Sequence, residues 1–327
     1  MNIGKLLILL GLVSLVSTLL VINSYNVQTA AVEEEKYQFK TKFGSKGVAN
    51  GQFIQPIGIA VDKEGNIHVG DFATRSNIIQ KFSDNGTIIS SWGTLGSGPG
   101  FFTNPISLEI DRNNGFLYIA DFGNPTFAIQ KFTLNGTFLK SFGEFGFGDG
   151  KFISPGGIGL DSQGNVYVTD FGENSNVQKF DKDGNFLMRI GSHGINQGQF
   201  NNPTDVAVDS IGNIFVADSG NERVQKFDKD GNFLMTFGTF GENKGQFDTL
   251  LGIEIDKDDN IFVADSENHR IQKFNKDGIF LTSFGKFGSG DGEFIDPSGI
   301  DIDAEGNVYV TDERNYRIQA FSPVVTS

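Results

Sequence analysis

The stretch from Gly198 to Gly238, GQFNNPTDVAVDSIGNIFVADSGNERVQKFDKDGNFLMTFG, decides the fold. It reads as four short strands. Asp205–Val208 is an alternating apolar run that stops at Asp209. Ile211–Asn213 supplies a tight turn. Ile214–Ala217 is the second run and ends at Asp218. Val224–Phe227 is the third, and the Asp230–Gly231 hairpin turn leads into the fourth, Phe233–Phe237. Alternation with a period of two, broken each time by Asn, Asp or Gly, marks a hairpin-linked antiparallel sheet. A sheet this small cannot hide both of its own faces. It needs neighbours, and the chain supplies them as copies of itself.

The opening Gly-x-Phe-x-x-Pro recurs at Gly51–Pro56, Gly100–Pro105, Gly150–Pro155, Gly198–Pro203 and Gly292–Pro297, and Gly245–Phe247 is a sixth with Leu250 in place of Pro. The aspartate that ends the first strand recurs as Asp62, Asp111, Asp161, Asp209, Asp256 and Asp303. These are 49, 50, 48, 47 and 47 residues apart. The aspartate that ends the second strand is Asp71, Asp121, Asp170, Asp218, Asp265 and Asp312. A fixed period of this length with four strands per unit predicts propeller blades around an axis. The sixth copy stops after its third strand, at Phe321. An orphan segment ahead of the first copy, Phe39–Gly44 (FKTKFG), matches the fourth-strand pattern of Phe138–Gly143 (FLKSFG). The expected fold is therefore all-β: a six-bladed β-propeller of four-stranded antiparallel blades, its last blade closed by the N-terminal strand. That closure removes two open sheet edges.

The repeat resembles the NHL repeat. The likeness is carried by Pro-x-Gly-Ile-Ala-Val-Asp, by Gly-Asn-Ile-x-Val-Ala-Asp, and by Asn221-Glu222-Arg223-Val224-Gln225 and Asn268-His269-Arg270-Ile271-Gln272. It covers about Tyr37 to Phe321. It is specific for fold and weak for function, because NHL propellers serve in ubiquitin ligases, as sensor domains of bacterial receptor kinases, and in the amidating lyase. The ligase reading lacks a RING, since the chain has no cysteine with which to build one.

Composition narrows the classes. Of 327 residues 33 are Phe, at fixed phases of the repeat, which suits a core of sheets packed face to face. The net charge of −14 and the absence of a basic run argue against nucleic acid. The absence of cysteine excludes disulfides and zinc-thiolate sites. Lys5 followed by an apolar run from Leu6 to Ile22 reads as a signal peptide or signal anchor over residues 1–22. Residues 23–36 then form a polar linker, 37–321 the propeller and 322–327 a C-terminal tail. The propeller is expected outside the cytoplasm, secreted or held to the membrane only by its N-terminal segment, and monomeric. Asn85-Gly86-Thr87 and Asn135-Gly136-Thr137 match a glycosylation acceptor, at a phase where other copies place an Asp-Gly turn.

Five sets of residues come into question for a site. The strand-ending aspartates read as turn caps. Asp256-Lys-Asp258-Asp-Asn260 begins like a calcium loop but lacks its glycine. His68, His193 and His269 fall at different phases of the repeat and do not form a common ring. The first strands are more informative, because they lie nearest the axis. Otherwise small positions carry acids at Glu109, Asp205, Glu254 and Asp301. Buried acids require partners. Six-bladed lactonases hold a calcium ion at that axis, so these four are the candidate metal ligands, although the preferred reading is a hydrated channel with no cofactor. On the loop face, copies one to three follow the second-strand aspartate with Phe72, Phe122 and Phe171, whereas copies four to six carry Arg223, Arg270 and Arg317. These six are the candidate ligand-binding residues. The function they suggest is a non-enzymatic extracytoplasmic scaffold for a protein or glycan. The alternative is a calcium-dependent hydrolase, lactonase or lyase using the axial acids.

Overall fold

In the computed structural model, residues 36–72, 76–126 and 128–324 are described. The segment read as a leader, residues 1–22, and all of the linker but Lys36 lie outside them. Among the described residues no helix is long and apolar enough to cross a membrane.

Six four-stranded antiparallel sheets surround an axis. Blade 1 comprises Pro56–Val61, Ile67–Asp71, Ser76–Phe82 and Ile88–Thr94. Blade 4 comprises Pro203–Val208, Ile214–Asp218, Arg223–Phe227 and Phe233–Phe237. The first strand of every blade is innermost: Pro56–Val61, Pro105–Asp111, Pro155–Leu160, Pro203–Val208, Leu250–Ile255 and Pro297–Ile302. Each touches the inner strands on either side, and the sixth touches the first, which closes the ring. In blade 6 the order is Tyr37–Phe43, Arg317–Pro323, Val308–Asp312, Pro297–Ile302. The N-terminal strand thus completes the last blade, pairing Tyr37 with Pro323 and Phe43 with Ile318 across one bulge. Blade 6's third strand runs two residues beyond Phe321, into the expected tail, because Tyr37 and Gln38 are there to pair with it.

The conserved phases of the repeat now have physical roles. The Phe of each Gly-x-Phe opening (Phe53, Phe102, Phe152, Phe200, Phe247, Phe294) is fully buried. Each meets the Phe that closes its own third strand, with ring centroids 5.4 to 5.7 Å apart. The third-strand glutamine ties down the same opening. Gln225 accepts from the Gly198 N–H at 2.9 Å and donates to the Gln199 carbonyl at 2.7 Å, and Gln80, Gln130, Gln178, Gln272 and Gln319 repeat the pair. The second-strand aspartate takes the N–H groups that follow. Asp121 accepts from Thr103 at 2.8 Å and from Asn104 at 2.7 Å. The first-strand aspartate caps the turn on the opposite face, as Asp256 does for Asp258 and Asn260 at 2.9 Å each. Asn85 serves in the same way, accepting from the Thr87 N–H and hydroxyl.

Candidate functional site

Two faces differ. Connections between blades and second-to-third strand loops share one, here the loop face. First-to-second strand turns and third-to-fourth hairpins share the other, the turn face. Each inner strand runs from the loop face to the turn face. Between the six lies a funnel of about 330 Å³, at the small end of the roughly 300–1,000 Å³ usual for ligand pockets. Its mouth, on the loop face, is bordered by Phe171, Asn202 and Glu313. Its walls are mainly apolar: Ile57, Ile106, Ile158, Leu251, Ile253 and Ile300. Gln55 donates to Glu313 at 2.8 Å and fixes that carboxylate at the mouth.

The narrowness follows from the glycines. A Cβ on Gly157 would run into Asp205, and one on Gly252 or Gly299 into the carbonyl of Ser298 or Ile57 in the next blade. That side of each inner strand looks around the ring at its neighbour rather than straight into the axis. Polar residues at or beside these positions therefore become latches between blades. Ser107 accepts from the Ile158 N–H at 3.1 Å. Thr204 donates to the Leu250 carbonyl at 2.8 Å and Thr311 to the Ile57 carbonyl at 3.0 Å.

The four axial acids meet towards the foot of the funnel, but they are not equivalent. Asp205 accepts from the Ile253 N–H of blade 5 and the Val206 N–H, at 2.9 Å each. Asp301 accepts from Val61 of blade 1 at 2.5 Å and from Ile302 at 2.6 Å. Among the described residues Glu254 accepts one bond, from Ile255 at 3.0 Å. Glu109 makes no hydrogen bond or ion pair among the described residues. Arg112, from the turn of blade 2, closes the foot. Its Nη2 lies 2.6 Å from Asp301, and its Nε donates to the Val61 carbonyl at 3.0 Å. Burial, then repulsion from Glu254 and Asp301, raises Glu109 well above the ordinary carboxyl range. Burial and Asp301 push Glu254 up to about 8, and burial pushes Asp205 up to about 7. Among the described residues no group of three or more His, Asp or Glu side chains is arranged to hold a metal ion.

The loop-face candidates separate into two kinds. Arg223, Arg270 and Arg317 turn inward, each with Nε 2.7 Å from the aspartate of its own blade, Asp218, Asp265 or Asp312. Their terminal nitrogens donate to loop carbonyls, as Arg317 does to Ser289, Gly290 and Glu293. Phe122 and Phe171 stack at 5.4 Å and 24° beside the mouth, and Phe72 is half-buried on the same face. No histidine lines the funnel. His68 is buried 3.3 Å from Asp62, His193 lies 3.4 Å from Ser175, and His269 stacks on Phe287 at 4.9 Å.

Two features were not read from the sequence. Arg112 is one. Its only signal is that the turn of blade 2 reaches its glycine, Gly115, one residue later than the turn of blade 1 reaches Gly65. The other is a rim of exposed apolar side chains on the blade connections, Leu95, Phe145, Phe147, Ile195, Phe240 and Phe287.

Comparison with known proteins agrees with this architecture. Residues 152–180 and 200–227 match the NHL repeat, and 247–322 match a family described as a 6-bladed beta-propeller. Over 84 residues, 26% of the chain, it is 32% identical to Protein brain tumor of Drosophila melanogaster, and it spans 8% of that relative's length. Among solved structures, a virginiamycin B lyase from Staphylococcus aureus with quinupristin superposes with a TM-score of 0.59 at 16% identity, covering 89% of this chain and 100% of that one. A gluconolactonase from Xanthomonas campestris gives 0.63 at 15%, covering 84% and 87%. An auxiliary nutrient binding protein from Bacteroides ovatus gives 0.64 at 12%, covering 89% and 78%. At these identities the structures share the fold alone. With NHL-repeat matches in blades 3 and 4 and a propeller match across blades 5 and 6, the chain is a six-bladed β-propeller that carries NHL repeats.

Proposed function

We propose that the chain is a non-enzymatic extracytoplasmic binding propeller, which takes a protein or glycan on its loop face and draws a projecting group of that ligand into the funnel. The observation that carries this is the funnel itself, apolar in its walls and open on the face that bears the exposed rim. Apolar side chains clustered on one face suit a macromolecular contact. The auxiliary nutrient binding proteins of the same fold are compatible with a binding role. Hydrolysis or lyase chemistry has less support, since Asp205 and Asp301 spend their oxygens on backbone N–H groups and no histidine lines the cavity.

Ile106→Trp, which fills the funnel from its wall, and Phe171→Ala, which removes half of the stacked pair, test it. Screened on peptide and glycan arrays, wild type should give hits that both variants weaken by about tenfold or more, as expected for groups at the centre of a contact. Hits indifferent to both variants, or turnover of lactone or ester substrates by wild type, defeat the reading. The location is tested separately. The full chain carrying an epitope tag should be cleaved by protease added to intact cells, or be found in the medium, and a chain lacking Met1–Ile22 should not. Cytoplasmic retention of the full chain refutes an extracytoplasmic site.

A further inference from the structure

The funnel gathers carboxyl groups without a basic side chain among its described lining residues. Glu109, Asp205, Glu254 and Glu313 line it, and among the described residues no Lys, Arg or His does. Arg112 stands at its foot with its guanidinium already committed to Asp301 and to the Val61 carbonyl. Both oxygens of Asp205 accept backbone N–H groups, so it is the least available of the acids. Glu109 is the most available, a carboxyl group deep at the axis that lines the channel and has no hydrogen-bond or ion-pair partner among the described residues. Once ionised, a carboxylate buried in that position requires compensation. The walls above it offer mainly aliphatic surface, Ile57, Ile106 and Leu251 among it.

We propose that the funnel binds an organic cation on an apolar stem, an alkylammonium or guanidinium group seated against Glu109 and Glu254 with its methylenes along Ile57, Ile106 and Leu251. This rests on the funnel being the binding site and adds the charge of what enters it. The chemistry has two sources, a free amine or a Lys or Arg side chain projecting from a protein. A bare metal ion suits the site less well. Calcium takes six to eight converging oxygens, whereas Asp205 and Asp301 are turned towards N–H groups of neighbouring strands. The chain's net charge of −14 also favours the approach of a cation.

The titration of the foot supplies a signature. Glu109 faces Glu254, Asp301 and Asp205 on other inner strands and Arg112 on its own turn. Blades 1 and 3 bring the uncharged Ala60 and Gly159 to this level. With Glu254 at about 8 and Asp205 at about 7, the empty foot holds protons near neutrality. A cation binds the ionised carboxylates, so it must expel a proton below those values, and its affinity rises with pH until they are passed.

The test is calorimetric titration of the full chain with n-hexylamine, Nα-acetyl-lysine methylamide, 1-hexanol and hexanoate near neutral pH. The amines should bind about tenfold more tightly than hexanol or better, the scale of one charge-assisted hydrogen bond, and hexanoate should not bind. Heats measured in buffers of different ionisation enthalpy should show proton release on amine binding. E109Q and E254Q should each weaken the amines about tenfold and leave hexanol unchanged. Both variants should melt at or above wild type, since each puts a neutral amide where burial already disfavours an ionised carboxyl, so lost binding will not reflect lost folding. Tighter binding of hexylamine points to a free amine, and tighter binding of the lysine derivative to a protein side chain. If hexanol matches hexylamine, the cation is wrong and the funnel stands as a binding site. If no probe binds, both fall. If calcium displaces the amines and E109Q abolishes that displacement, a metal site replaces this one.

Discussion

A chain that begins at Gly51 will melt about 10 °C or more below one that begins at Glu33, and will aggregate on heating. The lost segment holds three aromatics in three different packings. Tyr37 stacks on Phe284 at 4.9 Å and meets Phe262 edge-on at 5.7 Å, at the boundary with blade 5. Phe39 packs on Phe321 of its own blade at 6.2 Å. Phe43 lies 4.7 Å from Phe82, at the boundary with blade 1. Fully buried, each would contribute about 1.5–3 kcal/mol. Half-buried as they are, the three together stabilise by about 3–5 kcal/mol before the ladder with Arg317–Pro323 is counted. At about 2–4 °C per kcal/mol for a domain of this size, that gives the stated fall. Aggregation follows because the third strand of blade 6 becomes an open edge. Thermal scans of the two chains decide the matter, and coincident melting curves would falsify closure by the N-terminal strand as a source of stability.

Most of this fold was legible because each blade repeats the same solution to the same problem. The buried Phe pair, the glutamine and the two aspartates recur in phase, so any error in one copy is corrected by the others. The axial site was legible only in part, because it consists of departures from the repeat. Glu109, Asp205, Glu254 and Asp301 stood out as acids at small positions, and the structure does bring them together. What each does there depends on a neighbouring blade some fifty residues away. Asp301 meets Val61 and Arg112, which no local pattern links to it. The arginines of blades 4 to 6 show the same limit on the loop face. Their pairing with Asp218, Asp265 and Asp312 could be read from spacing, but their capture by loop carbonyls of the preceding connection required the three-dimensional path. The exposed rim was missed because its residues fall at two phases, and those at the main one differ in kind: Lys46, Leu95, Phe145, His193, Phe240 and Phe287. A mixed column of this sort carries no periodic signal, although it shares one place in space.

Asp265→Ala should cost about 4 kcal/mol or more, among the largest effects available to a single side chain in this molecule. The carboxylate is fully buried. One oxygen accepts from the Asp248 N–H at 2.8 Å, and the other from Arg270 at 2.7 Å and Gln272 at 2.9 Å, with Asn268 reaching both at 3.0 Å. Arg270 in turn holds the carbonyls of Glu242, Asn243 and Gln246. Truncation therefore strands a guanidinium whose side chain is only 15% exposed, and loss of one partner of a buried pair costs about 3–5 kcal/mol. Asp121→Ala in blade 2 is the internal comparison. Asp121 is buried with the same backbone duties, but its side-chain partners are Asn124 and Gln130 rather than an arginine. Its loss should cost about 2–3 kcal/mol, the scale of unsatisfied neutral donors. Arg270→Met combined with Asp265→Ala should recover part of the deficit, because the stranded charge is gone. Denaturant midpoints of the four chains settle it. Equal losses for Asp265→Ala and Asp121→Ala, with no recovery in the double variant, would mean that the ion pair contributes nothing beyond the shared turn contacts.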